Sequence, residues 1–313
     1  MSIQITKNIT EANLITHAGT FHPDDVFSTM FLAKIIDQPL VCRTTKVENT
    51  KEGAIIYDIG YTEFDHHGPN ALMRNEKIKY CSFGLLWKTF GYKYLNQIKC
   101  ENQEKLFKAI DENLIMQIDA IDNGLFPKIE ADYKLTDLDK IIDLFNKCWD
   151  EDCDNDDNFL EAVKIADIIF TRILKKENAK IKAAKLVEQQ IPSAKNGILI
   201  LSEYLPYHDA IFNSENPLAK TIKIVIFPSN RGGYNIKPMT ISKESKELVV
   251  NFSQEYRGLH DEELINASKI KTARFVHISG FLACAETLED ALLLAQNALN
   301  NSKETNKFAE NTK

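Results

Sequence analysis

Four of the seven histidines fall within residues 17–67, and each stands beside carboxylates. His17-Ala-Gly-Thr-Phe-His22-Pro-Asp24-Asp25 follows one apolar stretch, Asp58 ends a second, and Asp65-His66-His67 comes soon after. Asp119 and Asp122 form a fourth group, with the i, i+3 spacing of one helical face. Imidazole and carboxylate without thiolate suit Mn²⁺ or a related divalent ion rather than a thiolate-bound structural zinc. A carboxylate can bridge two metals, and Asp58 is placed to do so; two ions ~3.5–4 Å apart activate a water and steady both oxygens of a phosphoryl displacement. Taken singly, each group also has an ordinary structural reading. A strand-end histidine is commonly a hydrogen-bonded structural residue, Asp24 or Asp25 caps a helix, and Asp122-Asn123-Gly124 ends one. Taken together, four such clusters at segment ends point to a metal site.

The elements that must position these groups alternate in the first half. Strand-like stretches at 13–16 and 54–57 are interleaved with helical patterns at 25–36, at 82–90 (closed by Gly91) and at 106–121. That order predicts an α/β fold, a mainly parallel sheet with helices on both faces. In such sheets the carboxyl ends of the strands face the crevice where ligands bind, so strand-end His and Asp residues can converge. A long helical pattern over 158–190 leads to Ile191-Pro192-Ser193, the expected boundary between domains 1–190 and 191–313. The second half reads as a smaller α+β domain. Strands are expected at 197–204, 221–227, 234–241 and 274–278, then a helix capped by Thr287 with Asp290 three residues on, running to about Asn300 before a polar, frayed tail.

The 313 residues are enough for two cores, and a 44% apolar, 27% charged composition is that of a globular protein. No apolar run approaches a membrane span, and the opening MSIQITKNIT has no signal-like apolar core. Six scattered cysteines without a C-x-x-C pair read as reduced thiols, so a cytoplasmic protein is expected. Residues 191–313 are neutral, so the net charge of −7 belongs to residues 1–190, which disfavours a simple electrostatic nucleic-acid coat. No G-x-G-x-x-G or Walker loop is present. Asp150, Asp152, Asp154 and Asp156, with Glu161 at the twelfth position, match EF-hand ligand spacing. Asn155 stands at the glycine position and Asp157 where an apolar residue belongs, so the run reads as a solvated connection.

Asp65-His66-His67 resembles the signature triplet of the DHH phosphoesterase superfamily. The longer string resembles the MYG (melanocyte proliferating gene) family, also called uncharacterised protein family 0160. It comprises the 16–25 segment, Tyr57-Asp58-Ile-Gly60, Phe64-Asp65-His66-His67, Ser82-Phe-Gly84-Leu-Leu-Trp87 and Ile118-Asp119-Ala-Ile-Asp122-Asn-Gly124. The resemblance continues through Ser202-Glu203, Tyr256-Arg257-Gly258-Leu259 and Phe275-Val276-His277-Ile-Ser279-Gly280-Phe281. It implies a metal-dependent phosphoesterase with two divalent ions, Mn²⁺ first and Mg²⁺ or Zn²⁺ as alternatives. The implied ligands are His17, His22, Asp24, Asp58 as the bridge, His66, and Asp122 in preference to Asp119. His67 would face the scissile phosphate, with Asp65 orienting His66 or its neighbour.

The implied activity is 3′-to-5′ exonucleolytic hydrolysis of short RNA or oligonucleotides by a di-metal-activated water, with the second domain clamping substrate across a cleft. His277 and Arg257 are the expected substrate contacts, no membrane is involved, and homo-oligomerisation is left open. After Phe281 the family continues with Ile-Gly-Gly and a basic residue, where this chain has Leu282-Ala283-Cys284-Ala285-Glu286. The alternatives are a small-molecule nucleotide or pyrophosphate phosphohydrolase and, motivated by the lost glycines and an acid that repels phosphate, a metal-holding binding module with weakened catalysis.

Overall fold

The computed structural model describes residues 2–69 and 71–310, with side chains as far as Asn301. The chain divides into two compact units, Met1–Asn178 and Ala179–Lys313.

The first unit carries a four-stranded, wholly parallel sheet of β1 (Gln4–Ile5), β2 (Leu14–His17), β3 (Leu40–Thr44) and β4 (Ile55–Ile56), in the order β1-β3-β2-β4. Helix α1 (Pro23–Leu32) connects β2 to β3, on one side of β2, whereas β4 pairs on the other side. The strand order therefore reverses at the carboxyl end of β2, where open α/β sheets leave a crevice. Helices α2 (Ser82–Gln97), α3 (Gln103–Ile110), α4 (Met116–Asp122) and α5 (Leu138–Asp143) follow, then α6 (Asn155–Gln190). A π turn, Asp111–Ile115, joins α3 to α4 without a break. Every residue of α1 is buried. Phe31 lies 5.4 Å from Trp87, 5.8 Å from Tyr94 and 6.3 Å from Phe170 by ring centroids, so one aromatic cluster ties α1 to α2 and α6.

The division between the units falls within α6, whose later residues Ala183 and Val187 join Ile191 in a core of the second unit. The expected linker Ile191-Pro192-Ser193 is a 3-10 turn at the end of that helix. The second unit is a mixed sheet of β5 (Ile198–Ile200), β6 (Ile224–Pro228), β7 (Tyr234–Pro238), β8 (Ala273–Val276) and β9 (Ala283–Ala285), in the order β5-β6-β7-β9-β8. Helices α7 (His208–Phe212), α8 (Asp261–Ser268) and α9 (Leu288–Glu310) complete it. Alternation along β6 sends Ile224 and Ile226 to the core that holds Leu294 and Ala298 of α9, and Val225 and Phe227 to the core that holds Val187 of α6. This is the α/β arrangement with a smaller α+β unit that the sequence pattern predicts.

Several expected boundaries are corrected. The first helix ends at Leu32 instead of residue 36, with turns beyond it. Thr287 Oγ1 does accept the Asp290 amide at 3.2 Å, but the helix it caps continues past Asn300 to Glu310, with the expected frayed tail in helical backbone. Gly91 does not close α2, which runs on to Gln97. Its missing side chain serves packing instead. A Cβ there would stand 2.7 Å from the Phe107 ring and 3.0 Å from Trp87, and the Trp87 and Phe107 rings are stacked at 5.2 Å. Gly91→Ala is therefore expected to destabilise the protein by about 1–3 kcal/mol through overpacking, although alanine is the better helix former. Urea unfolding followed by circular dichroism checks this, the expected sign being a lower midpoint with unchanged m-value.

Candidate metal centre

The loop after β2 is held by its neighbours rather than by regular structure. Gly19 takes a left-handed turn (φ +93°), and its carbonyl accepts Arg43 Nη2 at 2.7 Å and Asn155 Nδ2 at 2.8 Å. Asn146 clasps Phe21 from both sides, accepting its amide at 3.0 Å and donating to its carbonyl at 2.9 Å. Extended backbone at His22 before Pro23 then opens α1. The His22 amide donates to Asp25 Oδ1 at 2.7 Å, as in a capping box. This arrangement brings donor atoms of His17, His22 and Asp25 within 4.8 Å of one another.

Asp58 follows β4 in the left-handed region, φ +56°, and its amide donates to Phe64 O at 3.0 Å. The intervening loop is fastened by Asp65, which accepts the Tyr61 amide at 2.6 Å and the His67 amide at 3.0 Å. The turn at Asp58 sends its carboxylate between two histidines. Oδ2 lies 3.3 Å from His17 Nε2, and Oδ1 lies 3.4 Å from His66 Nε2. His66 Nε2 also stands 3.0 Å from Asp122 Oδ2 and 3.8 Å from Asp24 Oδ2. Asp24, wholly buried, accepts the amides of Ser82 and Phe83 at 2.8 and 2.6 Å, so it caps α2 and not its own helix. His67, 56% exposed, places Nδ1 2.7 Å from Asp65 Oδ1 and 3.6 Å from Asp58 Oδ1. A carboxylate on Nδ1 fixes the ring proton there and leaves Nε2 as the outward nitrogen.

The charge balance of this cluster is set by burial. Burial raises Asp24 well above the ordinary carboxylate range, reinforced by Asp58 and Asp122, and raises Asp25 to about 6. Burial also opposes the histidine cations, but it is outweighed. The hydrogen bond to Asp58 and the charges of Asp25 and Asp58 lift His17 to about 9, and the Asp122 and Asp58 carboxylates lift His66 to about 11. Asp58 itself, despite burial, is held down to about 2 by His17 and His66. Even so, Asp25 Oδ2, Asp58 Oδ1 and Asp122 Oδ2 are buried without a hydrogen bond of acceptable geometry. Such oxygens, each beside an imidazole nitrogen, fit divalent cations bound by O and N donors.

Of the residues singled out by the sequence, His17, His22, Asp24, Asp58, His66, His67 and Asp122 converge here, in three groups of candidate donors: His17-His22-Asp25, Asp58-His66-His67 and Asp24-His66-Asp122. Asp119 lies apart, fully buried among Arg74 and Cys81. Asp65 orients His67, the neighbour of His66. Asp25 is a candidate donor that sequence reasoning missed; it reads as a helix cap and does cap, yet its second oxygen faces His17 Nε2 at 3.4 Å. The one signal was the doubled Asp24-Asp25, because two acids cannot both be needed for one cap.

His277 and Arg257 belong to the second unit and border one loop there. His277 Nδ1 bonds Ser279 Oγ at 2.7 Å, its ring sits 4.3 Å from Phe281, and a Cβ on Gly280 would stand 3.3 Å from Arg257 Nε. The divergent segment after Phe281 builds β9, and Glu286 at its end is paired with Arg274 at 3.2 Å. The acidic run 150–157 is not a purely solvated connection. Asp156 is buried against Arg43 at 3.0 Å and is also paired with Lys7, because α6 brings it to the sheet.

Comparison with known proteins matches residues 13–299 to an uncharacterised protein family, UPF0160. A MYG1 protein of Dictyostelium discoideum is 27% identical over 95% of this chain and 99% of its own length. The MYG1 exonucleases of Homo sapiens and Rattus norvegicus are each 26% identical over 91% of this chain, covering 85% and 84% of their own lengths. No solved structure matches the chain.

The histidine shifts fix a pH dependence. A histidine held above its unfolded value of about 6.5 stabilises the fold fully below that pH, and the contribution is lost as pH rises through about 9 for His17 and about 11 for His66. Asp25 acts in the same direction, its protonated form favouring the fold until pH passes about 6. In chelator, the melting temperature is expected to fall between pH 6.5 and 9, while Mn²⁺ affinity rises because each ion displaces imidazole protons. Scanning fluorimetry with and without Mn²⁺ checks both slopes; a melting temperature that climbs with pH in chelator contradicts the charge assignment.

Proposed function

The chain belongs to the uncharacterised protein family UPF0160, and from that membership and the His/Asp cluster we propose that it is a DHH-type, metal-dependent phosphoesterase. Its proposed reaction is 3′-to-5′ removal of nucleotides from short RNA or oligonucleotides. The exonuclease names of relatives spanning 91% of the chain support a nuclease, and the paired donor groups support metal dependence. The single observation that carries the reading is Asp58, whose two oxygens face His17 on one side and His66 on the other.

His17, His22 and Asp25 would hold one divalent ion, Asp24, His66 and Asp122 a second, and Asp58 would be shared between them. Mn²⁺ is the first choice for this donor set. When bound, such ions supply water activation and neutralise phosphate charge. The chain's own residues do the rest. Asp58 and Asp122, which face the His17 and His66 rings, would hold the positive charge in place of the imidazole protons. His67 is held by Asp65 through Nδ1, and its exposed ring would face a phosphoryl oxygen at the rim. Arg257, 3.1 Å from Phe252 O through Nε, and His277 would be the substrate contacts that the second unit offers. A net-acidic chain can bind such a ligand because the ions set the local sign of charge.

The test is a Mn²⁺ titration with 5′-labelled short RNA, single-stranded DNA, mononucleotides and pyrophosphate. A ladder of RNA shortened from the 3′ end is expected. Turnover confined to mononucleotides or pyrophosphate rejects the exonuclease, and metal uptake without turnover rejects the hydrolase. Asp58→Ala should abolish joint occupancy and activity together, so wild-type turnover in that variant rejects the shared ligand. His67→Ala should retain both ions and lose about 10²–10³-fold in kcat.

A further inference from the structure

The N-terminus of α2 holds two carboxylates at once. The Cys81 amide donates to Asp119 Oδ1 at 3.0 Å, and the next two amides, Ser82 and Phe83, donate to Asp24. Asp119 comes from α4 and Asp24 from α1, so three helices meet at three consecutive peptide groups. Asp119 is fully buried, accepts further bonds from Cys81 Sγ at 2.9 Å and from Arg74 Nε at 2.6 Å, and is ion-paired with Arg74 Nη2 at 2.5 Å. The remaining guanidinium nitrogen pairs with Asp111 in the π turn that precedes α4. Gly84 completes the fit, since a Cβ there would overlap the Asp119 carboxylate.

Asp119 makes no contact with His66, whereas Asp24 lies 3.8 Å from it and Asp122, one turn along from Asp119 on the same short helix, lies 3.0 Å from it. Asn123 reinforces the turn between them, its side-chain amide donating to the Asp119 carbonyl at 2.8 Å. α4 continues from the π turn, and Ile118 and Asp119 are the buried residues by which it packs. An anion buried this deeply is tolerated only when its hydrogen bonds and a counter-charge are complete, which makes the grip specific in geometry.

We propose that Asp119, neutralised by Arg74, is a positioning residue: it pins α4 to the N-terminus of α2, so that Asp122 and Asp24 face His66 at the same time. The inference rests on the metal reading above and concerns only the His66 side of the centre. The His17, His22 and Asp25 donors come from β2, the loop after it and α1, with none of them on α4.

A two-step Mn²⁺ titration by calorimetry on the full chain tests it without reference to activity. Asp119→Asn keeps the shape but turns an amide NH₂ toward Arg74. Gly84→Ala keeps every donor and displaces the same carboxylate. In each, one binding step is expected to weaken about 10–100-fold, as for other supports of metal ligands, while the other step stays within about twofold. Arg74→Lys, which keeps the charge but forfeits the two-point contact, should weaken the same step to a smaller extent. Circular dichroism screens the variants, and affinities are compared among those that retain the fold, Arg74→Lys being the mildest change. Wild-type protein that takes up no Mn²⁺ overturns the metal reading itself. Two intact steps in wild type and variants overturn the positioning role alone, as does equal weakening of both steps.

Discussion

Packing several carboxylates out of water at one place is the constraint on which this structure turns. Asp24, Asp25, Asp58 and Asp119 are all buried within the same unit, and Asp122 is largely so. Like charges in a low-dielectric interior repel and lose hydration, so each needs donors or protons. The fold provides different relief for each. Asp24 and Asp119 take consecutive amides at the start of α2, Asp119 also takes Arg74, Asp25 closes the first turn of α1, and Asp58 draws protons onto His17 and His66. What remains is a set of oxygens with no donor, and these are the ones turned toward imidazoles.

Sheet topology explains why this unmet demand accumulates at one spot. In a parallel sheet all carboxyl ends share an edge, and the reversal of order at β2 keeps that edge clear of a crossing helix. His17 leaves β2 and Asp58 follows β4, its immediate neighbour, so the two meet without any long-range adjustment. The remaining donors arrive on loops and short helices that the sheet does not position. They are placed by particular hydrogen bonds: Arg43, Asn146 and Asn155 on the Gly19–Phe21 loop, Asp65 on the loop that carries His66 and His67, and Asp119 on α4. Rigid strands thus place Asp58 beside His17, and buried polar contacts place the residues around them.

Much of the site was legible because its residues sit where periodic patterns stop. His17, Asp58 and Asp122 are each at or just beyond the end of an apolar run, and the strand–helix alternation already implies a shared edge. Asp25 was not legible, because a carboxylate three residues into a helix is also an ordinary cap, and only its second oxygen distinguishes the roles. Gly91 misled for a related reason: glycine near the end of a pattern usually stops a helix, but here it admits the Phe107 ring. Strand β9, Ala-Cys-Ala, lacks the bulky branched residues that mark strands, and it exists because β7 and β8 pair with it.

By itself the sequence determined the donor types, their placement at segment ends and the α/β order, since these follow from side-chain chemistry and local periodicity. Only the tertiary structure decided which carboxylate does what. Asp119 and Asp122 are alike in composition and spacing, yet one is consumed by Arg74 and Cys81 and the other faces His66. Asp24 caps a helix 58 residues away while its neighbour caps its own. Those assignments depend on which donors the fold brings to each oxygen, and hydrogen-bond partners distant along the chain leave no trace in local pattern.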